Sequence, residues 1–196
     1  MYGNNIKRAF ICDSDVLIYD NITEIDNKYL LDYEHMLCSS PSKNLTGGQS
    51  IWNLSKLKEF ISFIFVFYNT QKDIMIKWYK TYQEPGGICD MTLLYYFSHN
   101  EKIFKGIRLP AFPYFENDLT QIFNEEFTFD LHLASPGNHI YPDEWEVDDR
   151  KNKNIKYIDS KPYCYNKRIN KDIRFILFHF QGNNKNFMKE YYIKTQ

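Results

Sequence analysis

The sequence predicts an α/β fold, a mixed sheet flanked by helices, with an irregular region at about 107–165. Three observations carry that expectation. An apolar run from Lys7 to Tyr19 is broken only by Asp13-Ser14-Asp15. Leu54, Leu57, Phe60, Ile61, Ile64 and Phe65 recur at helical spacing. A second apolar run, IRFILF from Ile173 to Phe178, leads into His179 and then Gly182-Asn183-Asn184-Lys185. At 196 residues the chain is long enough for one substantial core, so one domain over 1–196 is expected.

Taken in order, Lys7 to Tyr19 reads as a strand buried on both faces, with the two acids where it ends or bends. The polar segment Asn21 to Lys28 follows, then a short strand within Tyr29 to Ser40, then a loop, SSPSKNLTGGQS, marked by Pro41, Gly47 and Gly48. Asn53 is placed to cap a helix, and FISFIFVFY (Phe60 to Tyr68) reads as its buried part. Asn69-Thr70 interrupts it, and Ile74 to Tyr82 continues as a second helix. After Pro85-Gly86-Gly87, the stretch Asp90 to Phe97 fits a short helix with Asp90 near its N-terminus. Residues 107 to 165 hold most of the prolines, an acid cluster and the basic run KNKNIK, and read as surface loops and short strands. Ile173 to Phe178 is the last strand, and a terminal helix closes the chain.

A formal net charge of -1 supplies no global field for nucleic acid or a membrane surface, so an anionic ligand has to be held locally. Cys12, Cys38, Cys89 and Cys164 are far apart and form no CxxC pair. That argues against a disulfide framework or zinc knuckle and for a reducing, cytoplasmic setting. No apolar segment resembling a signal peptide precedes the first strand, and FISFIFVFY falls far short of the ~20 residues of a transmembrane segment. Lysine outnumbers arginine and Asn, Ile, Tyr and Phe abound, as in an AT-rich coding sequence, so an 18% aromatic content is not by itself a sugar platform.

Two motifs carry chemistry. Residues i and i+2 of a strand share a face, so Asp13 and Asp15 can converge on one hard divalent cation while Ser14 points away. With 14 aspartates in the chain, roughly one DxD is expected by chance, and alone it reads as accidental or structural. HxxGxxK, from His179 to Lys185, is expected by chance only roughly 0.02 times. It offers an imidazole for the cation, a glycine at which backbone and phosphate can approach, and an ammonium for phosphate charge. By itself His179 also reads as a satisfied strand-end histidine and Lys185 as a solvated lysine; the pairing with DxD is what sharpens both.

Together DSDVLIYDNI and HFQGNNK resemble the metal-dependent sugar-nucleotide glycosyltransferases of the glycogenin and bacterial lipopolysaccharide galactosyltransferase group, glycosyltransferase family 8, which have the GT-A fold. The resemblance implies Mn2+ (or Mg2+) on Asp13, Asp15 and His179, with Gly182 and Lys185 at the donor diphosphate. TGGQSIWNL looks like the family's glycine-containing segment, with Gly48 at its glycine, Gln49 beside it and Asn53 at its second asparagine, on the donor-sugar and acceptor side. Asp90 in CDMTLL looks like the family's sugar-facing, catalytic aspartate, and reads equally as an acid stabilising a helix N-terminus. Thr46 replaces an asparagine of the pattern, Met91 a glutamine, and Asn186-Phe187 a Pro-Trp pair; none of these is a metal ligand.

The resemblance runs from about Lys7 to Lys189 and implies retaining transfer of a hexose from a UDP-sugar to a hydroxyl of a glycan, lipid-sugar or protein acceptor. Only twelve residues precede Asp13, where it implies a nucleotide-binding half, so a truncated domain, or one completed by a partner chain, is the corresponding expectation. The rival reading is a catalytically inactive module that binds a partner chain or glycan. A metal nuclease or phosphatase is disfavoured by the lack of a third clustered carboxylate and of a basic groove. Tyr114, Phe115, Tyr141 and Trp145 in 107–165 are candidates for stacking on acceptor sugars, each reading more simply as packing.

Overall fold

The computed structural model describes residues 6–31, 35–39, 45–82, 93–94, 97, 122–129, 144–180 and 182–194. The first apolar run is two strands, β1 (Arg8–Cys12) and β2 (Val16–Ile18), and Asp13-Ser14-Asp15 is the turn between them. β3 (His35–Ser39) and β1 pair antiparallel with opposite edges of β4 (Leu45–Asn53). The second half of the expected SSPSKNLTGGQS loop is therefore the central strand of a three-stranded sheet. Two long-range partners override its glycines, and the register slips where β4 passes through Gly47 and Gly48 between Thr46 and Ile51. β1 lies at the edge of that sheet, so its side chains are half-buried or exposed rather than covered on both faces.

The polar segment after β2 is helical. Asn21 accepts from the backbone N–H of Thr23 and Glu24 and donates to the Glu24 carboxylate, opening α1 (Ile22–Ile25), which runs on as one wider turn, Asp26–Leu30. Arg8 of β1 holds this helix in place with three hydrogen bonds to the Asp26 carboxylate (2.7, 2.8 and 3.0 Å) and one to the Leu30 carbonyl.

The irregular region of the sequence analysis contributes four strands of the main sheet. β5 (Ile122–Phe123), β6 (Phe127–Thr128), β7 (Lys156–Ile158) and β8 (Lys161–Asn166) join β9 (Lys171–Phe175) in the order β5-β6-β9-β8-β7. Only β6 and β9 pair in parallel, so the sheet is mixed. These strands are too short for periodicity to reveal. Trp145, a candidate for sugar stacking that read more simply as packing, is 1% exposed in the core, and Tyr114, Phe115 and Tyr141 lie outside the described residues.

The IRFILF run is interrupted at Ile176. Its N–H donates to the Thr128 carbonyl (3.0 Å) and its carbonyl accepts from Tyr19 N–H (2.9 Å), passing the chain from the main sheet to a ladder with β2. β10 (Leu177–His179) pairs antiparallel with β2, Leu177 opposite Ile18 and His179 opposite Val16. Burial on both faces belongs here. Val16, Ile176 and Leu177 pack into one apolar cluster with Ile25, Ile51 and Phe127, whereas Leu17, Tyr19 and Phe178 pack into another with Trp145, Phe175 and Tyr191. A short 3-10 turn (Gly182–Phe187) and α4 (Met188–Ile193) follow.

α2 (Leu54–Thr70) starts at Asn53, whose side chain accepts from Ser55 N–H, and breaks at Gln71 before α3 (Lys72–Tyr82). FISFIFVFY buries one face only. Phe60, Phe63 and Phe67 are buried; Phe60 stacks on Trp52 at 5.5 Å, and Phe60 and Phe63 also contact Phe97. Ile61 and Phe65 face outward. Among the residues 93, 94 and 97 that fall in the expected short helix, all are helical and buried.

Two stability outcomes follow from this packing. Asp26→Ala strands the largely buried Arg8 guanidinium and costs about 3 kcal/mol in urea denaturation, whereas an apolar replacement of both partners recovers most of it. Burial pushes the Tyr19 and Tyr157 hydroxyls up and raises that of Tyr191 to about 12. These phenols stay protonated in the fold where an unfolded chain would ionise them. Their stability contribution is complete below the ordinary value of 10.0 and is lost as pH rises from there towards about 12. In an alkaline titration, a late step in phenolate absorbance should coincide with loss of circular dichroism.

Candidate metal centre

The β2–β10 ladder brings the two motifs together. Phe180 N–H donates to the Asp15 carbonyl at 2.9 Å, fixing the acid-bearing turn directly against the end of β10. His179 Nε2 lies 3.2 Å from Asp15 Oδ1 and 3.8 Å from Asp13 Oδ2. The other oxygen of Asp15, Oδ2, is 2.9 Å from Lys185 Nζ. Asp13 and Asp15 converge because the chain turns at Ser14, a different route from the strand alternation that the spacing suggested.

The three candidate ligand atoms lie within 4.8 Å of one another. Around a six-coordinate ion with bonds of about 2.1 Å, neighbouring ligands stand about 3 Å apart and opposite ones about 4 Å apart. Asp15 and His179 already have the spacing of neighbours, and a small closing movement of Asp13 completes the set. Two carboxylates and one imidazole suit Mn2+ or Mg2+, the imidazole favouring the transition metal. The side chains of His179 and Asp15 are 10% and 14% exposed, and that of Asp13 is 51% exposed, so the cluster is walled on one side and open on the other. Ligand oxygens can enter from the open side.

Burial pushes the Asp15 carboxyl up, but the bonded Lys185 ammonium and the adjacent His179 imidazole outweigh burial and hold it below the ordinary carboxylate range. Its folded value lies under the unfolded one of 3.8. Stability from these contacts is therefore present above 3.8 and lost as pH falls through the lower folded value. Burial and the Asp13 charge push the neighbouring Cys12 thiol up, which disfavours a free thiolate there. Asp13, Asp15 and Lys185 leave one net negative charge; a divalent ion reverses it to one net positive charge, which suits an anionic ligand.

Lys185 sits on the 3-10 turn that begins at Gly182, whose φ of +60° is the left-handed conformation that glycine takes without strain. A Cβ there would meet nothing within 4 Å, so the glycine serves backbone shape and leaves its outer side open to a ligand. Gly48 lies in β4, and Gln49, fully buried, stands opposite Cys12 in the β1–β4 register, one residue from the acids. Asp90 lies outside the described residues. Asp20, which the sequence analysis did not single out, anchors the far end of β2 through Arg174 (2.8 Å) and Lys161 (3.3 Å). Those partners are distant in the chain and leave no local signal; the N-cap Asn21 beside it, with Glu24 three residues on, does.

No family model, curated protein or solved structure matches the chain. The chemistry of the centre is therefore read from its own side chains. Asp15→Ala and His179→Ala each remove a well-buried ligand and should weaken Mn2+ binding by more than about a hundred-fold in calorimetric titration, with a smaller loss for the half-exposed Asp13.

Proposed function

We propose that this chain is a metal-dependent glycosyltransferase with a partial GT-A fold, moving a hexose from a UDP-sugar to an acceptor hydroxyl. The observation that supports this reading most strongly is the meeting of both ends of HxxGxxK on one acid of DxD, His179 at 3.2 Å and Lys185 at 2.9 Å from the two oxygens of Asp15, with the other acid, Asp13, 3.8 Å from His179. One carboxylate shared by His179 and Lys185, on the turn that carries a second acid, is the arrangement that a metal diphosphate needs.

In this mechanism Asp13, Asp15 and His179 would hold Mn2+ or Mg2+, which when bound would supply Lewis-acid stabilisation of the negative charge that builds on the departing diphosphate. Lys185, on an exposed stem, swings from Asp15 to a diphosphate oxygen and adds its own charge. Gly182 gives that diphosphate a close approach to the backbone. The buried ladder keeps Asp15 and His179 from moving as charge develops, so little reorganisation is needed. Gly48 is the proposed residue of β4 on the donor-sugar or acceptor side, with Gln49, fully buried opposite Cys12, behind the acid turn as support, and Asp90 is the proposed group facing the sugar.

Purified protein should release sugar from UDP-glucose or UDP-galactose only with Mn2+ or Mg2+ present. Asp15→Ala should abolish that turnover, and Lys185→Ala should lower it by about a hundred-fold while weakening UDP binding. Metal and UDP binding without any turnover would make the chain a binding module. Failure to bind either would defeat the proposal.

A further inference from the structure

α2 has a second apolar face that the fold does not use. Side chains 58, 61, 65 and 68 follow at three- and four-residue steps and so share one side of the helix, opposite buried Phe60, Phe63 and Phe67. Ile61, Phe65 and Tyr68 are 44%, 67% and 46% exposed. Exposed Lys58 stands at the N-terminal end of this row. Beyond the break at Gln71, which Gln71 N to Phe67 O and Met75 N to Gln71 O hydrogen bonds bridge, α3 presents exposed Lys72, Ile76 and Lys80 at four-residue steps. Of the acids of the two helices, Glu59 stands off these rows and pairs with Lys56, whereas exposed Asp73 borders the α3 row three residues before Ile76, one acid against Lys72 and Lys80.

We propose that this face docks the protein peripherally on an anionic lipid surface. A ridge of aliphatic and aromatic side chains enters the boundary between headgroups and acyl chains, while lysines on both flanks meet negative headgroups. The charge argues for lipid over a second copy. Two such ridges centred on Phe65 would set lysine against lysine in either direction, because Lys58 and Lys72 lie equally far on its two sides. An acidic protein would need a groove shaped to a ridge one helix wide, whereas a fluid headgroup layer needs none. Among the described residues no helix is long and apolar enough to cross a membrane, so the contact lies along the surface.

The full chain, sedimented with phosphatidylcholine vesicles with and without phosphatidylserine, should bind only the anionic ones and release with added salt. Phe65→Ser and Lys58→Glu should each lower partitioning by about five-fold or more, with circular dichroism unchanged. Absence of serine-lipid-dependent binding, or binding indifferent to both substitutions, overturns the proposal. So does a dimer in solution that Phe65→Ser dissociates, which would assign the face to a second copy.

Discussion

The pairing of β2 with β10 is the constraint on which the rest depends. It is only three residue pairs long, yet both faces of β10 are covered by apolar clusters, and its end is tied to the acid turn by the Phe180 N–H to Asp15 carbonyl bond. Short ladders are weak in isolation, and this one is held by what packs on it. Phe178 meets Phe175, Tyr19 and Tyr191 on one side, and Leu177 joins Phe127 and Ile51 on the other. The polar groups of the centre then project from a rigid backbone at the boundary between this packing and solvent. The Arg8–Asp26 pair and the Asp20–Arg174 pair fix the segments on either side of the turn, so the carboxylates are held by the whole fold.

Much of the centre was legible in the sequence because each of its parts is local. DxD marks the break in one apolar run, HxxGxxK the end of another, and Asn53 the start of a helix; each stands where its pattern suggested. The mutual distance of the two motifs was not legible, since nothing in either stretch encodes the register Val16 opposite His179. The same limit explains β4, where a strand runs through Gly47 and Gly48 because partners on both edges outweigh poor strand residues. It also explains β5 to β8, strands of two to six residues whose identity comes from their neighbours.

α2 shows a different limit. FISFIFVFY is apolar around most of the helix, so spacing alone cannot say which side faces the core. The spacing named Phe60 together with Ile61 and Phe65; packing against Trp52 and Phe97 keeps Phe60, adds Phe63 and leaves Ile61 and Phe65 outside. The unselected side is left facing water, with lysines at its ends. Composition offered no such surface, because a net charge near zero averages over the local separation of cationic and anionic groups.

The reading of the centre stands or falls on where a cation binds. Crystals of the full chain grown with Mn2+ and UDP, examined by anomalous scattering from manganese, give the most direct answer. One peak at bonding distance from Asp13, Asp15 and His179, with diphosphate oxygens completing the shell and Lys185 turned onto them, is the predicted result. A peak elsewhere, or none at these three side chains when the ion is saturating, would overturn it.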